Sequence, residues 1–431
     1  MFRTSKSLFI LCALLLCLLS QLALPVSSRA LGDDASLVST TTPEGRLVVF
    51  DDVWETIEDH YYDPRFRGID WQAKRAAFRP AAAKAAGTHE FYELMRQMIA
   101  SLRDAHTRVY SPDEKFDWWN PRFVTTGVAV REVEGVPVVA QVDPNSAAAK
   151  LDIRVGDAIV SVDDVPVAQF VNQRLESFGS NADESARYRS VANLFDGPAG
   201  SLVKFAWSTR DRKVKSAVLP RYWSQRQLGF STQRKGKLAI LRLDAFTQTL
   251  ALEFSKALTS ELDGAEGVVL DLRGNGGGDA EAMADVASLF LDEGINLGRF
   301  ADRSGAAFEL QTYSKRLWRV PQLRIKLPLV VLTGESTSSA AEIMVAALQA
   351  KGRARVIGAV TCGCVLAIRN RHALPDGGLL DVSEFDYRTA SGVRLQDRGI
   401  TPDELTPLTR SDLYSRREPT LEAARRFLER D

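Results

Sequence analysis

The sequence predicts a multidomain protein: an N-terminal helical region, a β-rich domain, and an α/β core. Three observations carry that expectation. Apolar residues recur at helical spacing between Arg46 and Arg103. From Gly127 the pattern changes to short strands punctuated by turns. From Leu238 strands and amphipathic helices alternate, the order that builds a sheet covered by helices. A chain of 431 residues is long enough for two or three domains. Lys plus Arg number 55 and Asp plus Glu number 55, so no global charge draws the chain to nucleic acid or to an anionic membrane.

Residues 1–30 read as a signal peptide. Arg3 and Lys6 supply a basic start, Leu8 to Leu24 an apolar stretch, and Ser28 or Ala30 a small residue for cleavage. Export to a periplasmic or extracellular compartment follows. A retained membrane anchor is the alternative, against which the apolar run is short. Cys12 and Cys17 leave with this segment. Cys362 and Cys364 remain, and a two-residue separation predicts no disulfide framework and no metal site. Their default reading is two small buried hydrophobes.

The helical region spans residues 43–120. Val49, Val53 and Ile57, then Phe91, Leu94, Met98 and Leu102, mark its buried faces. It ends in Asp104-Ala105-His106-Thr107. Residues 121–220 form the β-rich domain. Gly127-Val128-Ala129-Val130 and Val136 to Val142 are strands, Ala147–Lys150 a short helix, and Leu202–Trp207 and Lys213–Leu219 the last strands. Leu151 to Val162 carries an apolar-x-x-Gly-Asp-x-Ile-x-x-Val run. This succession resembles a PDZ domain, which implies capture of a peptide tail along Gly127, Val128, Ala129 and Val130 by strand addition.

The core spans residues 221–410. Leu238–Leu243, Gly267–Leu272, Leu327–Thr333 and Arg355–Gly358 read as strands. Thr249–Leu262, Ala280–Leu291 and Ala340–Ala350 read as helices. Two junctions could carry chemistry. Arg273-Gly274-Asn275-Gly276-Gly277-Gly278 follows a strand, and its glycines free backbone N–H groups to face an anion. Gly334 to Glu342 also lies between strand and helix, where a serine is either an N-cap or an exposed nucleophile.

Five segments then occur in order: Asp271–Gly278, Thr337–Ile343, Gly358–Gly363, Leu374–Gly377 and Gly399–Asp403. Together they resemble the carboxy-terminal processing, or tail-specific, serine peptidases, from about Val49 to Pro407. The resemblance implies a crotonase-like α/β core, peptide or protein substrates, and no cofactor or metal. It places the nucleophile on Ser339 and the oxyanion donors on the N–H groups of Gly277 and Ala340. Many members carry a lysine base where this chain has Cys364, and Ile368 replaces a frequent glutamine. A second branch, resembling the tricorn core, uses a histidine in a His-Thr segment, which falls on His106. Imidazole suits that task. The Glu that orients that histidine corresponds to Gln396, with Asp397 beside it as the other candidate. His60 and His89 lie on helical stretches without a motif, and His372 is a weaker second candidate. Two other readings stand beside the peptidase: a PDZ-containing binding protein that has lost catalysis, and a core that binds an apolar ligand.

Overall fold

The computed structural model describes residues 37–117, 120–177, 184–313 and 323–429. The expected signal peptide, residues 1–30, lies outside them. Among the described residues no helix is long and apolar enough to cross a membrane.

The chain opens with three helices, α1 (Pro43–His60), α2 (Trp71–Lys84) and α3 (Thr88–Ala100). Thr42 starts α1 by accepting the Gly45 N–H, with Pro43 at the first helical position. The periodic residues Val49, Phe50, Val53 and Ile57 meet Phe91, Met95 and Met98 of α3 in one buried cluster. That cluster also takes in Leu374, Leu380 and Val382, which are far away in sequence. The reason is β1 (Arg108–Tyr110), which leaves the helices and later pairs antiparallel with a strand of the core.

The β-rich part begins with β2 (Arg122–Thr125), β3 (Val128–Val133) and β4 (Val136–Val142). It continues with β5 (Ala158–Val162), β6 (Val165–Pro166), helices α4 (Val167–Ser177) and α5 (Glu184–Ala192), β7 (Leu202–Ser208) and β8 (Val214–Pro220). The sheet runs β3-β4-β5-β7-β8, so β3 is an edge strand. Arg187 of α5 donates to the Glu132 carboxylate of β3 at 2.7 and 2.9 Å. β9 (Tyr222–Gln225) returns to pair with β2.

The core follows as β10 (Phe230–Lys235), β11 (Leu238–Leu243), α6 (Gln248–Glu261), β12 (Gly267–Asp271), α7 (Ala280–Ala287), β13 (Asn296–Asp302) and β14 (Ala307–Gln311). Then come β15 (Leu329–Thr333), α8 (Ala340–Ala350), β16 (Arg355–Gly358), β17 (Arg371–Ala373), β18 (Leu379–Asp381), β19 (Phe385–Arg388), β20 (Glu404–Leu405), α9 (Arg410–Ser415) and α10 (Pro419–Leu428). The main sheet is β10-β11-β12-β15-β16-β20, parallel except for the β10–β11 pair. Burial on both faces explains its near-continuous apolar strands. Val268, Leu270 and Val331 face α6, α7 and α8, while Val269, Val330 and Leu332 face α10. A second small sheet, β1-β18-β17, carries the end of the helical region on the core. The parallel strands β12 and β15 both end at their carboxyl edge in the two junctions named from sequence, where open α/β sheets place their sites.

Candidate active site

Ser339 stands at the turn from β15 into α8 with φ 56 and ψ −125. A non-glycine residue there costs about 1–3 kcal/mol, so its surroundings must hold it. They do so on every side. The Ser339 N–H donates to the Cys364 carbonyl at 2.9 Å and to the Glu342 carboxylate at 3.1 Å. Ser338 N–H donates to the Asn275 carbonyl at 3.1 Å, and Thr337 Oγ1 to the Leu272 carbonyl at 2.7 Å. Glu342 is fully buried and also accepts from Thr361 Oγ1 (2.6 Å), Gly363 N–H (2.7 Å) and Cys364 N–H (2.9 Å). Burial pushes its pKa up, against those donors, which lower it.

The glycine-rich turn lies directly against this serine. A Cβ on Gly277, whose φ is 94, would meet Ser339 Cβ at 2.6 Å, the Ser338 carbonyl at 2.9 Å and the Ala340 nitrogen at 3.0 Å. Only glycine permits that approach. The two expected anion donors differ, however. The Ala340 N–H has no acceptor among the described residues. The Gly277 N–H donates to Asn275 Oδ1 at 2.8 Å, so it serves an oxyanion only when Asn275 gives way. Asn275 is fully buried, and its Nδ2 holds the Leu243 carbonyl at 3.0 Å.

The cysteine reading needs correction. Cys362 and Cys364 are joined as a disulfide with Cα atoms 5.2 Å apart, within bridging range. Gly363 between them, at φ 68, bends the chain enough to allow it. The bridged segment lies along the serine turn: Cys362 N–H donates to the Thr337 carbonyl at 3.0 Å, and Cys364 supplies the acceptor for Ser339 N–H. A lysine amine is thus replaced by a sulfur tied up in a disulfide, which is not a base.

His106 sits between α3 and β1, half-buried. Its Nδ1 has no hydrogen-bond partner among the described residues. Burial pushes the imidazole down to about 4, opposed by the Asp104 carboxylate and reinforced by Arg108 and Arg189. The ring is therefore neutral at pH 7, the state a proton acceptor requires. Two consecutive residues of α5 relate it to the serine turn. Tyr188 hydroxyl meets Ser336 Oγ at 2.7 Å, and Arg189 lies close enough to depress the imidazole. On the neighbouring strand, Arg131 pairs with Glu335 at 3.5 Å.

The residues expected to orient the histidine are used elsewhere. Gln396 Oε1 accepts from the N–H groups of Val365 (2.9 Å) and Leu366 (3.3 Å), and its amide donates to Asp397. Asp397 pairs with Arg67 at 2.7 Å and Arg394 at 3.6 Å. The carboxylate beside His106 belongs to Asp104, a residue the sequence reading quoted only as part of a motif. Its signal was an Asp two positions before the histidine, the spacing of an Asx turn. Gly127, Val128, Ala129 and Val130 lie at the start of edge strand β3. The His60 and His372 rings lie 5.0 Å apart, tilted by 43°, and face Glu384 at 3.8 and 3.5 Å, a separate cluster.

Known proteins resemble this chain in sequence and fold. The model of peptidase family S41 matches residues 237–406, that of the tricorn protease C1 domain residues 43–100, and that of the PDZ domain residues 138–176. A carboxyl-terminal-processing protease of Picosynechococcus is 28% identical over 86% of this chain and 87% of its own length. The carboxy-terminal processing protease CtpA of Bacillus subtilis is 26% identical over 72% of this chain and 62% of its own. Among solved structures, the photosystem II D1 C-terminal processing protease is 25% identical with a TM-score of 0.52, covering 89% of this chain and 97% of that one. Mature CPAF, at 13% identity and a TM-score of 0.65 over 90% of this chain and 96% of that one, shares the fold. With its tricorn-type helical region, its PDZ domain and its core all matched, the chain is a serine-type peptidase similar to the carboxyl-terminal processing proteases, and its core matches peptidase family S41.

Proposed function

We propose that this serine peptidase cleaves peptide bonds of protein substrates by acyl transfer, with Ser339 as nucleophile and His106 as general base. The observation that carries the reading is the strand-to-helix turn, which holds Ser339 at φ 56 beside a free Ala340 N–H. That N–H lies at the start of α8, where the helix favours developing negative charge. Attack on the carbonyl moves the serine proton to the neutral imidazole, which returns it to the leaving amine. Gly277 supplies the second donor once substrate draws its N–H from Asn275. The core is read as crotonase-like, and the limits 43–120, 121–220 and 221–410 as its three folding regions after a signal peptide. Export to a periplasmic or extracellular compartment is supported by that leader alone.

Tail capture by the PDZ domain is part of the proposal. The edge of β3 at Gly127–Val130 can accept a strand, with α5 alongside. A role confined to binding is not favoured, because the core matches a peptidase family.

The test is covalent labelling of the mature protein with a fluorophosphonate, beside Ser339→Ala and His106→Ala. Labelling that needs both residues supports the assignment. Labelling that survives in His106→Ala removes His106 as base, and survival in Ser339→Ala removes the nucleophile.

A further inference from the structure

We propose that Asp104 is the positioning residue of His106, taking the place that Gln396 and Asp397 were expected to fill. This inference rests on His106 as base and deepens it. Asp104 Oδ1 accepts the N–H of His106 at 2.8 Å, the N–H of Thr107 at 2.6 Å and the hydroxyl of Ser383 at 2.9 Å. Oδ2 accepts Thr107 Oγ1 at 2.8 Å. One carboxylate thus fixes the backbone of the histidine and ties it to the core, because Ser383 follows β18. Thr107 closes the loop by accepting the Ser383 N–H at 3.1 Å.

None of these bonds reaches Nδ1, which remains unpartnered. Asp104 therefore acts on the ring through space. A negative charge held in a poorly solvated place stabilises the imidazolium that forms as Ser339 loses its proton. Burial opposes this charge. The Thr107 N–H, the imidazole and the Thr107 hydroxyl outweigh burial and keep the carboxyl below its ordinary pKa. Facing the imidazole are Asp104 and Arg108 from its own segment and Arg189 from α5. Facing Asp104 are Tyr61 and Tyr62 from the end of α1 and Arg67 from the following turn. Asp104 is the anion of the set around His106, and two arginines oppose it.

The experiment compares wild type with Asp104→Asn, Asp104→Glu and Gln396→Ala. Asparagine keeps Oδ1 for both N–H groups, and its amide donates to Thr107 Oγ1, so the turn survives while the charge goes. Two readouts are taken: the His106 imidazole pKa by NMR, and kcat/KM against pH on a peptide. Asp104→Asn is expected to lower the imidazole pKa, move the acid limb of the profile down with it, and cut kcat/KM by about 10- to 100-fold. Asp104→Glu keeps the charge and misplaces the acceptor, so it holds the imidazole pKa and loses rate. Gln396→Ala leaves the imidazole pKa where it is. An unmoved imidazole pKa in Asp104→Asn overturns the inference whatever His106 does, and so does a shift of equal size in Gln396→Ala. A normal shift together with full activity in His106→Ala is different: it sinks the base assignment, and the positioning role with it, while leaving the charge effect measured.

Discussion

Ser339 and His106 are held in opposite ways. Thr337, Ser338 and Ser339 are fastened within the core, by Leu272, Asn275, Cys364 and Glu342. The histidine arrives from the helical region and is fastened by one carboxylate and one three-residue strand, β1 on β18. Among the described residues its ring makes no bond through Nδ1. The geometry of Ser339 is thus a local property of the core. The geometry of His106 depends on the contact of the helical region with the core through β1 and β18. Changes near Ser339 should cost stability and activity together, whereas changes near His106 should alter rate and pH dependence while the core persists.

The largest expected effect is Glu342→Gln. Oε2 receives the N–H groups of Ser339 and Cys364, and Oε1 receives Gly363 N–H and the Thr361 hydroxyl. Whichever way a glutamine is turned, its NH2 meets at least one of these backbone donors. Thr361 cannot fully compensate, since its oxygen already accepts Ile400 N–H at 2.7 Å. A buried unpaired donor costs about 1–3 kcal/mol, so denaturant melts should show a loss of about that size and fluorophosphonate labelling should fail. Stable, fully labelled protein would mean that the serine turn is not fastened through this carboxylate. Next comes Gly277→Ala, whose Cβ has no room beside Ser339 and the Ser338 carbonyl. It should lower labelling by at least about tenfold, at a stability cost of about 1–3 kcal/mol for overpacking. Equal labelling would show that the glycine turn and the serine turn can separate freely.

On the other side of the comparison the expected signature is a pH dependence. The proposed base must be neutral, and burial holds the His106 pKa at about 4. Activity should hold through neutral pH and fall as pH drops through about 4. The linked stability has a definite sign. The unfolded imidazole titrates near ~6.5, so between that value and about 4 the unfolded chain binds the extra proton. This group's contribution to stability therefore declines as pH falls across that window. His106→Ala should abolish that part of the stability slope without unfolding the core. A limb centred near ~6.5 in kcat/KM would instead place the catalytic imidazole in water, not beside Arg189 and Arg108.

What the sequence made legible follows the same division. β11, β16 and α8 coincide with their expected spans because a buried parallel sheet leaves continuous apolar runs and its helices keep a regular period. The two junctions were legible as segments, the resemblance singled out Ser339 and Gly277 within them, and the structure places those two residues side by side. Less was legible around His106. The sheet β1-β18-β17 consists of three-residue strands paired across long sequence separations, and such pairing has no local signal. Gln396 and Asp397 were chosen by position along the chain, whereas hydrogen bonding decides their use, and Val365, Leu366 and Arg67 had claimed them. The disulfide was missed because spacing alone says nothing about the φ of Gly363.

The smallest expected effect concerns the contact that spans both regions. Tyr188 of α5 touches Ser336, its neighbour Arg189 acts on His106, and Arg131 of β3 pairs with Glu335. Tyr188→Phe removes one hydroxyl from a partly buried bond, worth about 0.5–1.5 kcal/mol. The Arg131–Glu335 pair is partly exposed at both ends and worth less, about 0–1 kcal/mol. Tyr188→Phe should leave the melting of the core unchanged. If β3 and α5 merely rest against the serine turn, labelling of Ser339 in Tyr188→Phe stays within about twofold of wild type. If their contact restrains Ser336 and the turn behind it, labelling of the substrate-free protein rises several-fold, and the rise disappears when a tail peptide is added. Equal labelling with and without peptide in both proteins would leave the serine turn independent of the PDZ domain, and would confine the dependence between units to His106.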